Sequence, residues 1–114
     1  VEFLTASNYG DGTTPQGPVS LAEEWTPEVR GRDCLLVDVV LDTGRTLSAV
    51  RRRLLDLGPR SLAACVLAVK EGAQEVEVPV RYLGFRVPRR FLVGYGLDHA
   101  QRYRNLPYLA ALRE

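Results

Sequence analysis

The chain is poor in several residue types and carries almost no net charge. Its 114 residues include no methionine, one lysine against fourteen arginines, two cysteines and one histidine, and the formal net charge is +1. So small a charge excludes bulk electrostatic attraction as the basis for binding nucleic acid or a membrane surface. No apolar run approaches the ~20 residues of a membrane span, and residues 1–4 lack the charged and apolar regions of a secretory signal. We therefore expect a cytoplasmic protein with neither nucleic acid nor a membrane among its partners.

The rare residue types stand at informative positions. Cys34 and Cys65 lie in apolar runs and are interpreted as small buried hydrophobic residues in a reducing compartment rather than as a disulfide or a metal site. Lys70 is the one lysine in a chain that otherwise uses arginine for its cations. An ammonium group is a compact donor that fits against a single acceptor, whereas a guanidinium is a planar fork. Lys70 is therefore a candidate for a specific contact, with chance as the equal alternative, and His99 is given no role.

The hydrophobic pattern predicts one α/β domain over residues 1–114. Strands are expected at residues 1–7, 34–41, 61–69, within 76–85, at 91–95 and at 108–112, and a helix at residues 46–57. The runs 34–41 and 61–69 are almost continuously apolar, which is typical of strands buried on both faces. A strand, an amphipathic helix and a second strand joined by short links form a βαβ unit, so these two strands should be parallel. Residues 98–105 are polar and should be irregular or briefly helical.

Residues 8–33 break the regular pattern. Glycines and prolines interrupt this segment repeatedly, and only residues 19–21 form a short apolar piece. A loop of this length in a small domain is usually a functional lid or a disordered segment. We predict a mobile loop over residues 8–33.

The turn after the first long apolar run has the features of an anion site. The segment Asp42-Thr43-Gly44-Arg45-Thr46 follows the carboxyl end of a strand and leads into a helix. Ligands of open α/β sheets bind beyond the carboxyl ends of the strands, and the free N–H groups at a helix start favour an anion. Gly44 allows the backbone to approach a ligand closely, and the threonines add hydroxyl donors. The alternative is that Asp42 or Thr43 only caps the helix.

Two acidic residues belong to the same strand and turn. Asp38 interrupts an otherwise apolar run, where a carboxylate is costly unless it is paired or bound to a metal. Asp42 lies four residues further on, so both side chains should lie on one face of the strand. Beside a phosphate site, one acid suits sugar hydroxyls or a metal, and the other suits acid–base chemistry. A salt bridge between Asp38 and a neighbouring arginine is the alternative.

Residues 35–47, LLVDVVLDTGRTL, resemble the phosphoribosyl-pyrophosphate signature of phosphoribosyltransferases. Residues 87–98 and 102–108 resemble the hypoxanthine-guanine members in particular, and residues 3–10 resemble theirs as well. The resemblance implies a type I phosphoribosyltransferase fold: α/β, with a mostly parallel central sheet, flanking helices and a long flexible loop after the first strand. It implies purine salvage, in which the 5-phosphoribosyl group of phosphoribosyl pyrophosphate passes to hypoxanthine or guanine and gives IMP or GMP and pyrophosphate. It also implies Mg²⁺ as the cofactor and a homodimer or homotetramer.

The same resemblance assigns roles to individual residues. Asp42 would lie near purine N7 as the general acid or base, Asp38 would contact the ribose hydroxyls directly or through Mg²⁺, and Lys70 would donate to the purine 6-oxo group. The remaining expected sites are the 5-phosphate site (Thr43, Gly44, Arg45, Thr46 and Leu47), the purine site (Val40, Phe91 and Leu92), the pyrophosphate site (Arg104), a second metal ligand (Asp98) and the mobile active-site loop (Asn8 and Tyr9).

The chain departs from the family pattern at several positions. Val39 stands where the family usually has a second acid, which removes a ribose or metal contact and is expected to weaken turnover. Asn8 replaces a loop serine, and residues 71–73 replace a Pro-Ser-Arg-like segment. The chain also begins after the family's first strands and helices, so we expect a domain that is incomplete at its N-terminus and exposes a sheet edge or apolar surface.

Two other functions compete with an active transferase. Val39 favours a non-catalytic relative that binds nucleotides or regulates. The segment Leu41-Asp42-Thr43-Gly44 also matches the signature of the dimeric aspartic proteases, whose body is all-β. A predicted helix directly after this segment argues against the protease.

Overall fold

The computed structural model of the chain describes residues 1–9, 15–21 and 27–113, with the backbone alone described for residues 7–9 and 15–20. The elements, in chain order, are β1 (Ala6–Tyr9), β2 (Pro15–Leu21), β3 (Asp33–Leu41), α1 (Arg45–Asp56), β4 (Ser61–Lys70), β5 (Tyr82–Val87), β6 (Leu92–Val93) and β7 (Ala110–Ala111). β1 and β2 form an antiparallel ribbon, β3, β4 and β5 form a parallel sheet in that order, and β6 pairs with β7 antiparallel.

The predicted βαβ unit is confirmed at the centre of the fold. β3 pairs with β4 in parallel, from Asp33 opposite Ser61 to Leu41 opposite Val69, and α1 forms the connection between them. β5 adds to the other side of β4, again in parallel. Because parallel strands end at the same edge of a sheet, the turn after Leu41 and the end of β4 at Lys70 are neighbours. This edge carries the candidate site.

One face of α1 packs on the sheet. Leu47, Val50 and Leu54 are buried, at the three- and four-residue spacing of a helical stripe. Leu47 belongs to a core cluster with Val66, and Val50 and Leu54 belong to a second cluster with Val29. Within the described part of the chain, no helix combines the length and the apolar character that a membrane span requires.

The face of the sheet opposite α1 is exposed. Cys34 and Leu36 pack against the cluster that α1 forms, so Leu35 and Val37 lie on the other face by strand alternation. Leu35 is 56% exposed and Val37 is 66% exposed. The prediction that this strand is buried on both faces was therefore wrong for the described residues, because α1 covers only one of the two apolar faces. The expected apolar surface is present at this position.

The segment of residues 8–33 is not irregular throughout. β1 begins at Ala6 and not at residue 1, and β2 lies within the predicted loop. β2 contains Pro15 and Pro18, which are typical of loops, but a two-stranded ribbon tolerates proline because each strand has a free edge. Residues 10–14 and 22–26 lie outside the described part of the chain. The mobility of residues 8–33 stays a prediction.

The last two strands are shorter than predicted. β6 covers two residues of the expected strand 91–95, and β7 covers two residues of the expected strand 108–112. β6 ends because Gly94 and Tyr95 adopt φ angles of 101° and 49°, which turn the chain out of the extended conformation. Residues 98–105 are irregular, in agreement with the sequence.

Candidate active site

An open cavity of about 580 Å³ lies at the carboxyl ends of β3 and β4. The end of β3 and its following turn form one side of the cavity, and residues 91–101 contribute to the other. The lining includes Asp38, Val40, Asp42, Thr43, Gly44, Thr46, Leu47, Lys70, Phe91, Leu92 and Asp98. Arg45 and Arg104 lie outside this lining. Most of the residues that the sequence singled out therefore meet in one place.

The turn after β3 carries unused backbone donors. Gly44 has a φ angle of 87° and begins α1 without a capping bond from its own residue. The Thr43 hydroxyl accepts the Arg45 N–H at 3.3 Å, so Thr43 fills part of the capping role that the sequence left open. Within the described part of the chain, the backbone N–H groups of Thr43, Gly44, Thr46 and Leu47 donate to no protein acceptor. Amides of this kind at a helix start are the donors that an anion needs.

Two charged side chains of the cavity form an ion pair. Lys70 Nζ lies 2.9 Å from Asp42 Oδ2. Lys70 is only 7% exposed, and burial of an ammonium group is costly without a charged partner. The pair therefore fixes the Lys70 side chain at the end of β4. An ammonium group has three donors, so Lys70 can serve an acceptor on a ligand while it holds Asp42.

Asp38 lines the cavity near the end of β3. Among the described residues no lysine, arginine or histidine forms a salt bridge with Asp38, so the alternative of an arginine pair finds no support. Its Oδ1 accepts the Val39 N–H at 2.8 Å. Desolvation raises the pKa of Asp38 above its ordinary value, while the bond from Val39 acts in the opposite direction. A desolvated carboxylate beside a cavity is suited to accept ligand hydroxyls or to bind a metal.

The purine-site candidates form an apolar wall around one aromatic ring. Phe91 is half-buried, and Leu92 is buried at the start of β6. Lys70 Nζ lies 5.8 Å from the centroid of the Phe91 ring, within the range of a cation–π contact. His99 meets the same ring edge-on, with 5.4 Å between the centroids and 75° between the planes. A half-buried ring beside a cavity can stack on a planar base.

Two residues of the site were not predicted from the sequence. His99 received no role, yet it lines the cavity and contacts Phe91. Gln74 Nε2 donates to the carbonyl oxygens of Asp42 and Lys70, at 2.9 Å and 2.8 Å. The Gln74 contact with Asp42 joins residues 32 positions apart, and the contacts with Lys70 and Phe91 span irregular parts of the chain that follow no periodicity. No signal in the sequence alone marks these two residues.

Asp98 and Arg104 pair with each other. Arg104 Nη2 lies 3.3 Å from Asp98 Oδ2, and the same nitrogen donates to the Gln101 side chain. The Gln101 N–H donates to Asp98 Oδ2 at 2.8 Å. Both members of the pair are partly exposed, so solvent screens their attraction and the pair opens at little cost. Their roles in metal and pyrophosphate binding stay predictions.

Asn8 and Tyr9 belong to β1, but their side chains lie outside the described part of the structure. Ala6, on the same strand, lines the cavity. β1 therefore starts beside the site, and the role of Asn8 and Tyr9 in a closing loop stays a prediction.

A parallel βαβ sheet whose strand–helix junction has N–H groups without an acceptor among the described residues is typical of phosphate-binding α/β proteins. The phosphoribosyl transferase domain family matches residues 1–100, and the chain belongs to that family. The membership confirms the resemblance found in the sequence. It also excludes the aspartic protease, since α1 follows the Asp42-Thr43-Gly44 turn directly where a protease would continue in β-structure.

Several similar proteins are hypoxanthine or hypoxanthine-guanine phosphoribosyltransferases. The chain is 47% identical over 109 residues to hypoxanthine phosphoribosyltransferase of Escherichia coli (strain K12), a match that covers 96% of this chain and 61% of the relative. It is 42% identical over 111 residues to hypoxanthine-guanine phosphoribosyltransferase of Mycobacterium tuberculosis (strain ATCC 25618 / H37Rv), covering 97% and 55%. The crystal structure of a hypoxanthine phosphoribosyltransferase from Staphylococcus aureus superimposes with a TM-score of 0.84 at 32% identity, covering 97% of this chain and 60% of that chain. The type I phosphoribosyltransferase fold is thus confirmed, and the chain spans between 55% and 61% of the length of these relatives.

Proposed function

We propose that the protein is a purine salvage enzyme that transfers the 5-phosphoribosyl group from phosphoribosyl pyrophosphate to hypoxanthine or guanine, giving IMP or GMP and pyrophosphate. The observation that carries the proposal is the meeting of two features in one cavity. The unused amides of the turn suit a phosphate, and the Asp42–Lys70 pair suits a planar base with a keto group. The names of the relatives point to the same reaction. A cytoplasmic location and a homodimer or homotetramer belong to this proposal.

The turn before α1 holds the ribose 5-phosphate. The donors are the backbone N–H groups of Thr43, Gly44, Thr46 and Leu47, with the threonine hydroxyls and the positive end of the helix. Arg45 adds a positive charge next to this site. Asp38 accepts hydrogen bonds from the ribose hydroxyls, because its desolvated carboxylate has room for further donors.

The purine lies between the Asp42–Lys70 pair and Phe91. Lys70 donates to the 6-oxo group, and Asp42 exchanges a proton at N7 as a purine nitrogen attacks C1 of the ribose. The base stacks on Phe91, with Val40 on the other side of the ring. Leu92 contacts the ring edge through its backbone. The ion pair fixes the donor and the acid–base group relative to each other before substrate arrives, which is positioning in advance of the reaction.

Mg²⁺ is the cofactor of the proposed reaction. Mg²⁺ usually takes one or two protein carboxylates and completes its shell with water and substrate phosphates. Asp38 and Asp98 both line the cavity, and the described residues contain no group of three or more His, Cys, Asp or Glu side chains suited to a metal. This donor set fits an ion shared with phosphoribosyl pyrophosphate, with Asp38 and Asp98 as its protein ligands. Held by Asp38 and Asp98, the ion would supply positive charge to offset the charge of the pyrophosphate leaving group, and Arg104 would supply a second cation for that group.

Synthesis of IMP tests the proposal. The protein at its natural length, with hypoxanthine, phosphoribosyl pyrophosphate and Mg²⁺, should release IMP and pyrophosphate in equal amounts. Asp42→Asn should lower kcat by about 10²–10⁴, the usual contribution of a general acid or base, while IMP binding is retained. The exposed Glu77→Gln variant removes one negative charge elsewhere and should leave kcat unchanged. If neither hypoxanthine nor guanine yields a nucleotide, the proposed activity is wrong.

A non-catalytic nucleotide-binding protein is the second candidate, and Val39 is the observation that favours it. This candidate predicts tight IMP binding without IMP synthesis. Val39→Asp should then create activity, because it restores the acid that the family usually has at this position. Val37→Asp, which places the same charge two residues earlier on the same strand face, is the matched control and should create none.

A further inference from the structure

Gln74 ties the carboxyl end of β3 to the carboxyl end of β4. Its Nε2 donates to the carbonyl oxygen of Asp42 at 2.9 Å and to that of Lys70 at 2.8 Å. Both acceptors are carbonyls, so the amide nitrogen and not the amide oxygen must face them. The two residues whose backbones Gln74 joins are the same two whose side chains form the ion pair of the cavity.

The two residues after Gln74 continue this contact through their backbones. The N–H groups of Glu75 and Val76 donate to the carbonyl oxygen of Thr43, at 2.8 Å and 3.2 Å. The approach is close, since a Cβ on Gly44 would lie 2.6 Å from the carbonyl oxygen of Val76. Residues 74–76, which we call the brace, therefore hold the carbonyl groups of the phosphate-binding turn.

The direction of these carbonyls sets the direction of the amides. A trans peptide unit points its N–H opposite to its C=O, and the described residues contain no cis peptide bond. When the carbonyls of Asp42 and Thr43 point to the brace, the N–H groups of Thr43 and Gly44 point away from it. These two N–H groups donate to no acceptor in the described part of the chain, and both residues line the cavity.

We propose that Gln74 is a positioning residue that preorganises the phosphate cradle by holding the Asp42 carbonyl. The inference rests on the proposed function, because the ligand of the cradle is the 5-phosphate of a ribonucleotide. Donors that are already oriented require no rearrangement when the anion arrives. Without the Gln74 amide, the peptide unit between Asp42 and Thr43 loses a fixed orientation. The Lys70 side chain keeps its own supports in Asp42 and Phe91, so the purine end of the cavity is retained.

A comparison of IMP with inosine, which lacks the phosphate, isolates this role. Calorimetric titration of the protein at its natural length should give a higher affinity for IMP than for inosine. In Gln74→Met, which keeps the side-chain length but has no donor, the IMP affinity should fall about tenfold, the loss expected for one or two misplaced donors. The inosine affinity should not change. Glu75→Met is the matched control, because Glu75 contributes to the brace only through its backbone N–H, and it should keep the IMP affinity of the parent protein.

The other possible results would contradict either the phosphate site or the role of Gln74. If the parent protein binds IMP no better than inosine, the proposed phosphate site itself is wrong. If the parent prefers IMP and Gln74→Met keeps that preference, or loses both ligands equally, the positioning role of Gln74 is wrong. If Gln74→Met fails to fold, Gln74→Asn decides in its place, since its amide is one methylene too short to reach both carbonyls.

Discussion

At the scale of single residues, the placement of Asp38 opposes stability, and ligand binding is the role proposed for it. It stands in an apolar strand, one backbone N–H donates to it, and desolvation raises its pKa. A carboxyl group with a raised pKa in the folded state holds its proton at pH values where the unfolded chain has lost it. The folded state is therefore favoured as the pH falls toward the ordinary aspartate pKa of about 3.9, and disfavoured once the pH exceeds the folded-state pKa.

The variant Asp38→Asn tests this balance. It removes the buried charge, so the free energy of unfolding at neutral pH should rise relative to the parent protein. The gain should shrink as the pH is lowered and disappear only below about 3.9, where the parent carboxyl becomes protonated in the unfolded as well as in the folded state. Urea unfolding in a buffer with a metal chelator measures both values, and Glu77→Gln controls for the loss of an exposed charge. A gain that does not depend on pH would contradict the assignment of a desolvated carboxylate.

At the scale of elements, the strand–turn–helix junction depends on one glycine. Gly44 has a positive φ angle of 87°, and its α-carbon faces the Val76 carbonyl so closely that a Cβ would lie 2.6 Å from that oxygen. Gly72 has a similar φ angle of 72°, but nothing lies within 4 Å of a Cβ at that position. The two glycines therefore separate the cost of the backbone conformation from the cost of the clash.

Gly72→Ala should lower the free energy of unfolding by about 1–2 kcal/mol, the cost of a left-handed conformation for an L-residue. Gly44→Ala carries the same conformational cost. Its free energy of unfolding should fall by about 1–3 kcal/mol more than that of Gly72→Ala, because the brace must also move to make room for the Cβ. Gly44→Ala should also lose IMP affinity, whereas Gly72→Ala should keep it. Denaturant unfolding and calorimetry measure the two effects. Equal destabilisation by both substitutions would show that the turn does not pack against Val76 as described.

At the scale of the whole molecule, an apolar row crosses the sheet on the face that α1 leaves open. Val37 pairs with Cys65, and Cys65 pairs with Tyr82. Val37 is 66% exposed and Tyr82 is 50% exposed. Apolar rows of this kind on a sheet favour association, and a formal net charge of +1 offers little repulsion against it.

We expect a polypeptide of these 114 residues to self-associate through this row. Val37→Lys should weaken the association by about tenfold or more, because a charge must then be desolvated in the contact. Leu55→Lys, at an exposed position of α1, makes the same change away from the row and should leave the association unchanged. Sedimentation velocity over a range of concentrations measures both, and a monomer at all concentrations would contradict the expectation.

The parts of the fold that the sequence predicts are those that depend on local pattern. The apolar runs that form β3 and β4, and the helical stripe of Leu47, Val50 and Leu54, are visible without any partner, so the βαβ unit and the cavity edge follow from them. β2 was missed because its prolines are compatible with a strand only when one edge is free. The burial of both faces of β3 was wrongly predicted because an apolar run indicates that a face favours burial, and not which residues cover it.

The candidate site also contains residues that the sequence could place and residues that only the fold could place. Asp38, Asp42 and the turn lie on one continuous segment, so alternation and spacing were enough to place them together. Gln74 and His99 act through contacts with other segments, and each is an ordinary polar residue in its own surroundings. Such residues emerge only from the fold, because the chain must close on itself before their partners exist.

The scarcity of lysine has a practical chemical consequence. Within these 114 residues an amine-acylating reagent has one side-chain target, Lys70, and that target is shielded and already bonded to a carboxylate. Acylation of Lys70, seen as an increase in mass, would report the opening of the Lys70–Asp42 ion pair alone. In a protein with many surface lysines, the same signal would be an average over many sites. The molecule thus contains its own isolated chemical reporter, placed where a purine is proposed to bind.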